Sequence, residues 1–124
     1  MNLWFVLAGI CSLLVCLLHI FGGGKTIARP LLNSKDLGNV AKYSNYYCWH
    51  MVTIVLAAMG AMFIWAAMHH EGVELAFVGS VFAGAFTLWS LGIVYISKGK
   101  LLHYPQWLLF APIAVSGLIG LMYA

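Results

Sequence analysis

The sequence predicts an all-α integral membrane protein, an antiparallel bundle of four transmembrane helices with both termini outside. Three observations carry this reading. Of 124 residues, 64% are hydrophobic and 7% are charged, against roughly 25% charged in an average soluble domain. A water-soluble fold of this length would lack the polar side chains to cover its surface, and a mean hydropathy of +0.97 agrees. Four apolar stretches run along the chain, each near the ~20 residues that a helix needs to cross a hydrocarbon core of about 30 Å. All six Lys and Arg residues fall in two of the three segments that separate those stretches.

The first span, Leu3 to Phe21, contains no charged residue. Met1 and Asn2 provide no basic flank, and no small-x-small cleavage site follows, so the span is expected to stay in place and not to be removed as a signal peptide. Gly22, Gly23 and Gly24 are expected to end it. Followed by Lys25 and Thr26, these glycines do not make a phosphate-binding loop, because the GxxxxGK spacing and the preceding strand are missing. Ser34 is expected to cap a surface helix over Lys35 to Asn45, which leads into the second span, Tyr46 to Met68. The third span, Leu75 to Ser97, follows a short loop that holds Glu71 and Glu74. The fourth, Trp107 to Tyr123, begins after Pro105, a residue suited to a helix start. Pro112 lies inside the fourth span, where its missing N–H frees the carbonyl of Leu108 and predicts a kink. All four spans belong to one domain, and they leave no room for strands.

Charge sets the expected orientation. Lys25, Arg29, Lys35 and Lys42 lie between spans one and two, and Lys98 and Lys100 between spans three and four. The positive-inside rule assigns both basic loops to the cytoplasm, the expected membrane being a bacterial inner (plasma) membrane. Tyr43, Tyr46, Tyr47, Trp49, Tyr104 and Trp107 then form one interfacial belt, with Trp4, Trp65 and Tyr123 at the other. Lys25, Arg29, Lys35 and Lys42 are candidate contacts for anionic lipid headgroups, each worth on the order of 1 kcal/mol near such a surface. Topology accounts for the net charge of +3, so no nucleic-acid partner is expected.

Membrane helices associate by close approach, so small residues four apart mark contact faces. Ala8 and Ser12, Ala57 and Ala61, Gly79 and Ala83, Ser80 and Gly84, and Ser116 and Gly120 are such pairs. On this reading, Gly84→Leu should force helices apart. The surplus of pairs on the third span fits a homo-oligomer or a contact with other membrane subunits.

Histidine is the residue type that could carry chemistry inside the spans. His19 shares a stripe with Ala8, Ser12 and Cys16, and His50 one with Tyr46, Thr53, Ala57 and Ala61. At similar depth, the two are candidate haem ligands, and with His103 they are candidate ligands for a transition metal. The competing role is interfacial, in which each imidazole bonds water, a headgroup or a backbone carbonyl. His69 and His70, beside Glu71, are read as solvated. Cys11, Cys16 and Cys48 form no CxxC pair and are read as packing residues. No HExxH motif and no carboxylate within a span is present, which excludes a metalloprotease or a di-iron carboxylate bundle. The functional expectation is a noncatalytic accessory or oligomeric helical-bundle protein. The alternatives are a His-ligated haem- or metal-binding membrane redox protein, and a small oligomeric transporter or channel.

Overall fold

The computed structural model describes residues 1–124 and is entirely helical. Helix α1 (Leu3–Leu18) continues without a break into a π-helical stretch (His19–Ala28) and then into α2 (Arg29–Asn33), so Leu3–Asn33 is one rod of 31 residues. After a bend comes α3 (Asn39–Met68), a 3-10 turn (His70–Gly72), α4 (Val73–Ile96), a second 3-10 turn (Leu101–His103) and α5 (Gln106–Met122).

Two expectations about element ends are corrected. The glycines at 22 to 24 do not stop the first helix. They lie inside the π-helical stretch, where the N–H of Arg29 donates to the carbonyl of Gly24 and the hydroxyl of Thr26 to that of Gly22. Ser34 terminates α2 instead of starting a helix, and α3 begins after Gly38 with no side-chain cap. Helix α5 runs through Pro112 and keeps helical structure on both sides of it. One turn on, the Ser116 hydroxyl donates to the Pro112 carbonyl at 2.7 Å. Helix α4 ends as a Schellman turn, with Lys98 at φ 51° and Gly99 N–H donating to the Val94 carbonyl.

The helices pack in a ring in which α1 lies between α3 and α5, and α4 closes the ring against α5 and α3. Each neighbour runs antiparallel to the next, as individual contacts show. The Asn2 N–H donates to the Ala67 carbonyl at 3.0 Å, and its side-chain amide donates to the Gly120 carbonyl at 2.8 Å. The Asn2 carbonyl oxygen Oδ1 meanwhile accepts from the N–H groups of Trp4 and Phe5, so one residue caps α1 and ties it to the ends of α3 and α5. The core is layered along the bundle axis, with Phe5, Leu56, Met59, Phe63 and Ile113 almost fully enclosed. Phe63 lies against the space over both Gly79 and Gly117, and the Phe5 ring fills the space over Gly120.

The contact stripes are partly those expected. Ala8 and Ser12, Gly79 and Ala83, and Ser116 and Gly120 are buried, as is Ser80. Ala57 and Ala61 are exposed, because α3 is rotated to bury Leu56, Met59, Gly60, Phe63, Ala66 and Ala67. A Cβ on Gly84 would meet open space, so the expected clash at that position is withdrawn. Helix α1 also meets α3 at Gly9 and Gly60, where an added Cβ would strike Ile64 or Leu13.

Outward faces are apolar along their length, with Leu14, Leu17, Ile54, Phe77, Leu88 and Leu118 among the exposed residues. The segments Leu3–Asn33, Asn39–Met68 and His70–Ile96 are long and apolar enough to cross a membrane. Helix α5 is also apolar and, at 17 residues, sits at the lower end of the length that spans a bilayer. All six basic residues lie at one end of the bundle, and Glu71 and Glu74 at the other.

Candidate functional site

The basic end of the α1–α3 pair is built by a ladder of side chains on the rod Leu3–Asn33 that donate to carbonyls of α3. Ser12 Oγ donates to Leu56 at 3.0 Å, Cys16 Sγ to Thr53 at 3.6 Å, and His19 Nε2 to Trp49 at 3.1 Å. Positions 12, 16 and 19 recur at helical spacing, so the stripe read from the sequence is real on α1, and its partner is the backbone of α3. A polar side chain in an apolar medium must find such a partner, and a helix carbonyl can accept a second bond beside its own.

His19 is the uppermost rung. Because a carbonyl oxygen only accepts, Nε2 carries the hydrogen and Nδ1 remains the nitrogen able to bind a ligand. The imidazole also stacks on the Trp49 indole, with ring centroids 3.9 Å apart and planes 17° apart. On the next turn of the rod, Gly23 brings bare backbone under the same indole; a Cβ there would lie 2.6 Å from Trp49 Cη2. Trp49 is thereby clamped against the π-helical stretch by an aromatic stack and a glycine floor.

Beyond this clamp the rod and α3 diverge and leave an open cleft of about 290 Å³. Lys25 and Arg29 line it from the rod, with Tyr46, Trp49, His50 and Thr53 from α3. Ile20, Phe21 and Leu32 supply apolar wall. Asp36, the only carboxylate at this end of the bundle, does not line the cleft. The cleft therefore brings cationic side chains together with apolar and aromatic ones.

The residues proposed from the sequence divide between several places. His19 is half-buried in the α1–α3 seam, whereas His50 is exposed on the cleft side, its ring meeting the edge of Tyr46 at 4.6 Å between centroids. The two do not share one inward stripe, since the rotation of α3 carries position 50 off the buried face. His103 lies exposed in the turn before α5, and no three His, Cys, Asp or Glu residues come together as a metal-binding group. Lys25 and Arg29 enter the cleft; Lys35 and Lys42 do not. At the opposite end, His69 Nδ1 pairs with the Trp65 carbonyl at 3.1 Å and its ring stacks on Trp65 at 3.9 Å.

Sequence reasoning missed two residues that organise this chain. The aromatic spacing places Trp49 only in an interfacial belt, although the residue is the centre of the clamp. Asn2 carries the N-terminal staple, and an Asn immediately before an apolar run is a recognisable N-cap signal. Comparison of the chain with family models, with curated proteins and with solved structures finds no match that assigns it to a family.

Proposed function

We propose that the chain is a noncatalytic membrane protein that spans the bilayer as a four-helix bundle, with its basic end cytoplasmic and both termini outside, and that its basic cleft holds the anionic headgroup of a lipid. The observation that supports this reading is the meeting of Lys25 and Arg29 with Tyr46 and His50 around one cleft with an apolar wall. An Arg fork can engage two phosphate oxygens at once, and Lys adds a mobile point charge. The wall formed by Ile20, Phe21 and Leu32 would take the first part of an acyl chain. The exposed apolar faces would meet lipid, a second copy of the chain or another membrane subunit. The redox alternative asks more of the geometry. His19 would have to ligate through Nδ1, or release the Trp49 carbonyl, while the exposed ring of His50 lies against Tyr46.

Thermal unfolding in neutral detergent tests the lipid reading. Added phosphatidylglycerol should raise the unfolding temperature more than phosphatidylcholine does, and the double variant Lys25→Gln, Arg29→Gln should lose that difference. An equal response to the two lipids in the unmodified protein rejects the cleft as a headgroup site.

A further inference from the structure

We propose that a second cleft, between α3, α4 and α5, binds a neutral membrane amphiphile whose flat ring carries a carbonyl group, the chemical class of the lipid quinones. The cleft has a volume of about 310 Å³ and is lined by Val52, Phe86, Trp89, Ser90, Ile93, Tyr104, Gln106 and Phe110. It lies on the other face of α3 from the basic cleft, and no charged residue contributes to it.

Ser90 points to a ligand. It is 8% exposed, and its hydroxyl is the one buried side-chain polar atom in the chain with no hydrogen-bond partner. The other three buried serines and both half-buried threonines each have one: Ser12 donates to Leu56, Thr53 to Trp49, Ser80 to Ala76, Thr87 to Ala83 and Ser116 to Pro112. Four of these five bond back to the carbonyl four residues earlier, a route that a serine in a helix ordinarily takes and that Ser90 does not. An unpaired hydroxyl in apolar surroundings is unfavourable. Its hydrogen is available to an acceptor entering the cleft.

The walls narrow the class of that acceptor. Phe86 and Phe110, with ring centroids 5.2 Å apart, stand beside Trp89 and Tyr104, so the site is faced with aromatic rings. Such walls favour a flat ring over a branched aliphatic body. The absence of charge favours a neutral ligand over a phospholipid headgroup. Trp89 and Val52 are also exposed on the outside of the bundle, which leaves an apolar tail a path toward surrounding lipid. Tyr104 and Gln106, at the start of α5, place the polar end of the ligand near the basic end of the bundle.

The test uses the full chain in lipid nanodiscs, titrated with a short-tailed ubiquinone and followed by quenching of tryptophan emission, with Trp89→Phe as the background. A saturable component is expected in the unmodified protein and should be lost in Trp89→Phe. Ser90→Ala should weaken binding about fivefold, the effect of one hydrogen bond, and Ser90→Leu should abolish it by filling the cleft. Without quinone, Ser90→Ala should unfold at or above the temperature of the unmodified protein, because it removes an unpaired polar atom. Quenching that rises without saturation and equally in all variants overturns the proposal, as does earlier unfolding of Ser90→Ala. A change of oligomer mass in Ser90→Leu with quinone binding unaltered also overturns it, since the cleft would then be an interface between copies.

Discussion

At the scale of single residues, the interior of this bundle is governed by whether a Cβ has anywhere to go. Gly117 faces Ser80 Oγ and the Phe63 ring, and Gly120 faces the Phe5 ring, whereas Gly84 faces open space. Gly117→Ala is therefore expected to destabilise the protein by about 1–3 kcal/mol, the range of overpacking in a filled core. Gly84→Ala should leave stability within about 0.5 kcal/mol or raise it slightly through helix propensity. Thermal unfolding of the two variants in one detergent decides the matter; similar losses would mean that α4 presents Gly84 to a neighbour. The sequence marks Gly84, four residues from Ser80, and passes over Gly117, which stands between Ile113 and Leu121 at that spacing, because small residues four apart occur on either face of an apolar helix. Ser12 and Cys16 were easier to place, since a polar group in an apolar span must face a partner.

At the scale of elements, the rod Leu3–Asn33 shows how a sequence signal for termination can be overridden. Three successive glycines usually end a helix, yet here they allow a wide π-helical stretch to lie against the Trp49 indole. Contact of Trp49 with both His19 and Gly23 supplies the packing that the glycines lack themselves. Gly23→Leu should thus separate the rod from α3 and cost about 1–3 kcal/mol, while Gly22→Leu, whose Cβ would meet nothing, should be neutral or stabilising. Circular dichroism through a thermal ramp measures both, and equal behaviour would show that the clamp does not hold the rod. No periodicity predicts this continuation, because the decisive contact lies 26 residues away in the sequence.

At the scale of the whole molecule, the antiparallel order of the helices gathers six basic residues at one end and Glu71 and Glu74 at the other. With that end in the cytoplasm, reporter fusions after Ala124 and within Glu71 to Glu74 should report the outside, and fusions near Asp36 and Gly99 the inside. A cytoplasmic signal at Ala124 would reject the proposed orientation. The sequence by itself determined the helical class, the number of apolar helices and the segregation of charge, since these follow from composition and from the length of apolar runs. Only the tertiary structure decided the rotation of α3, which exposes Ala57, Ala61 and His50 and buries Gly60 and Phe63. It also decided which basic residues share a cleft, and that Ser90 is left without a partner. The physical reason is that an apolar helix has no polar face to fix its rotation; neighbouring helices fix it, through contacts between residues far apart in the chain.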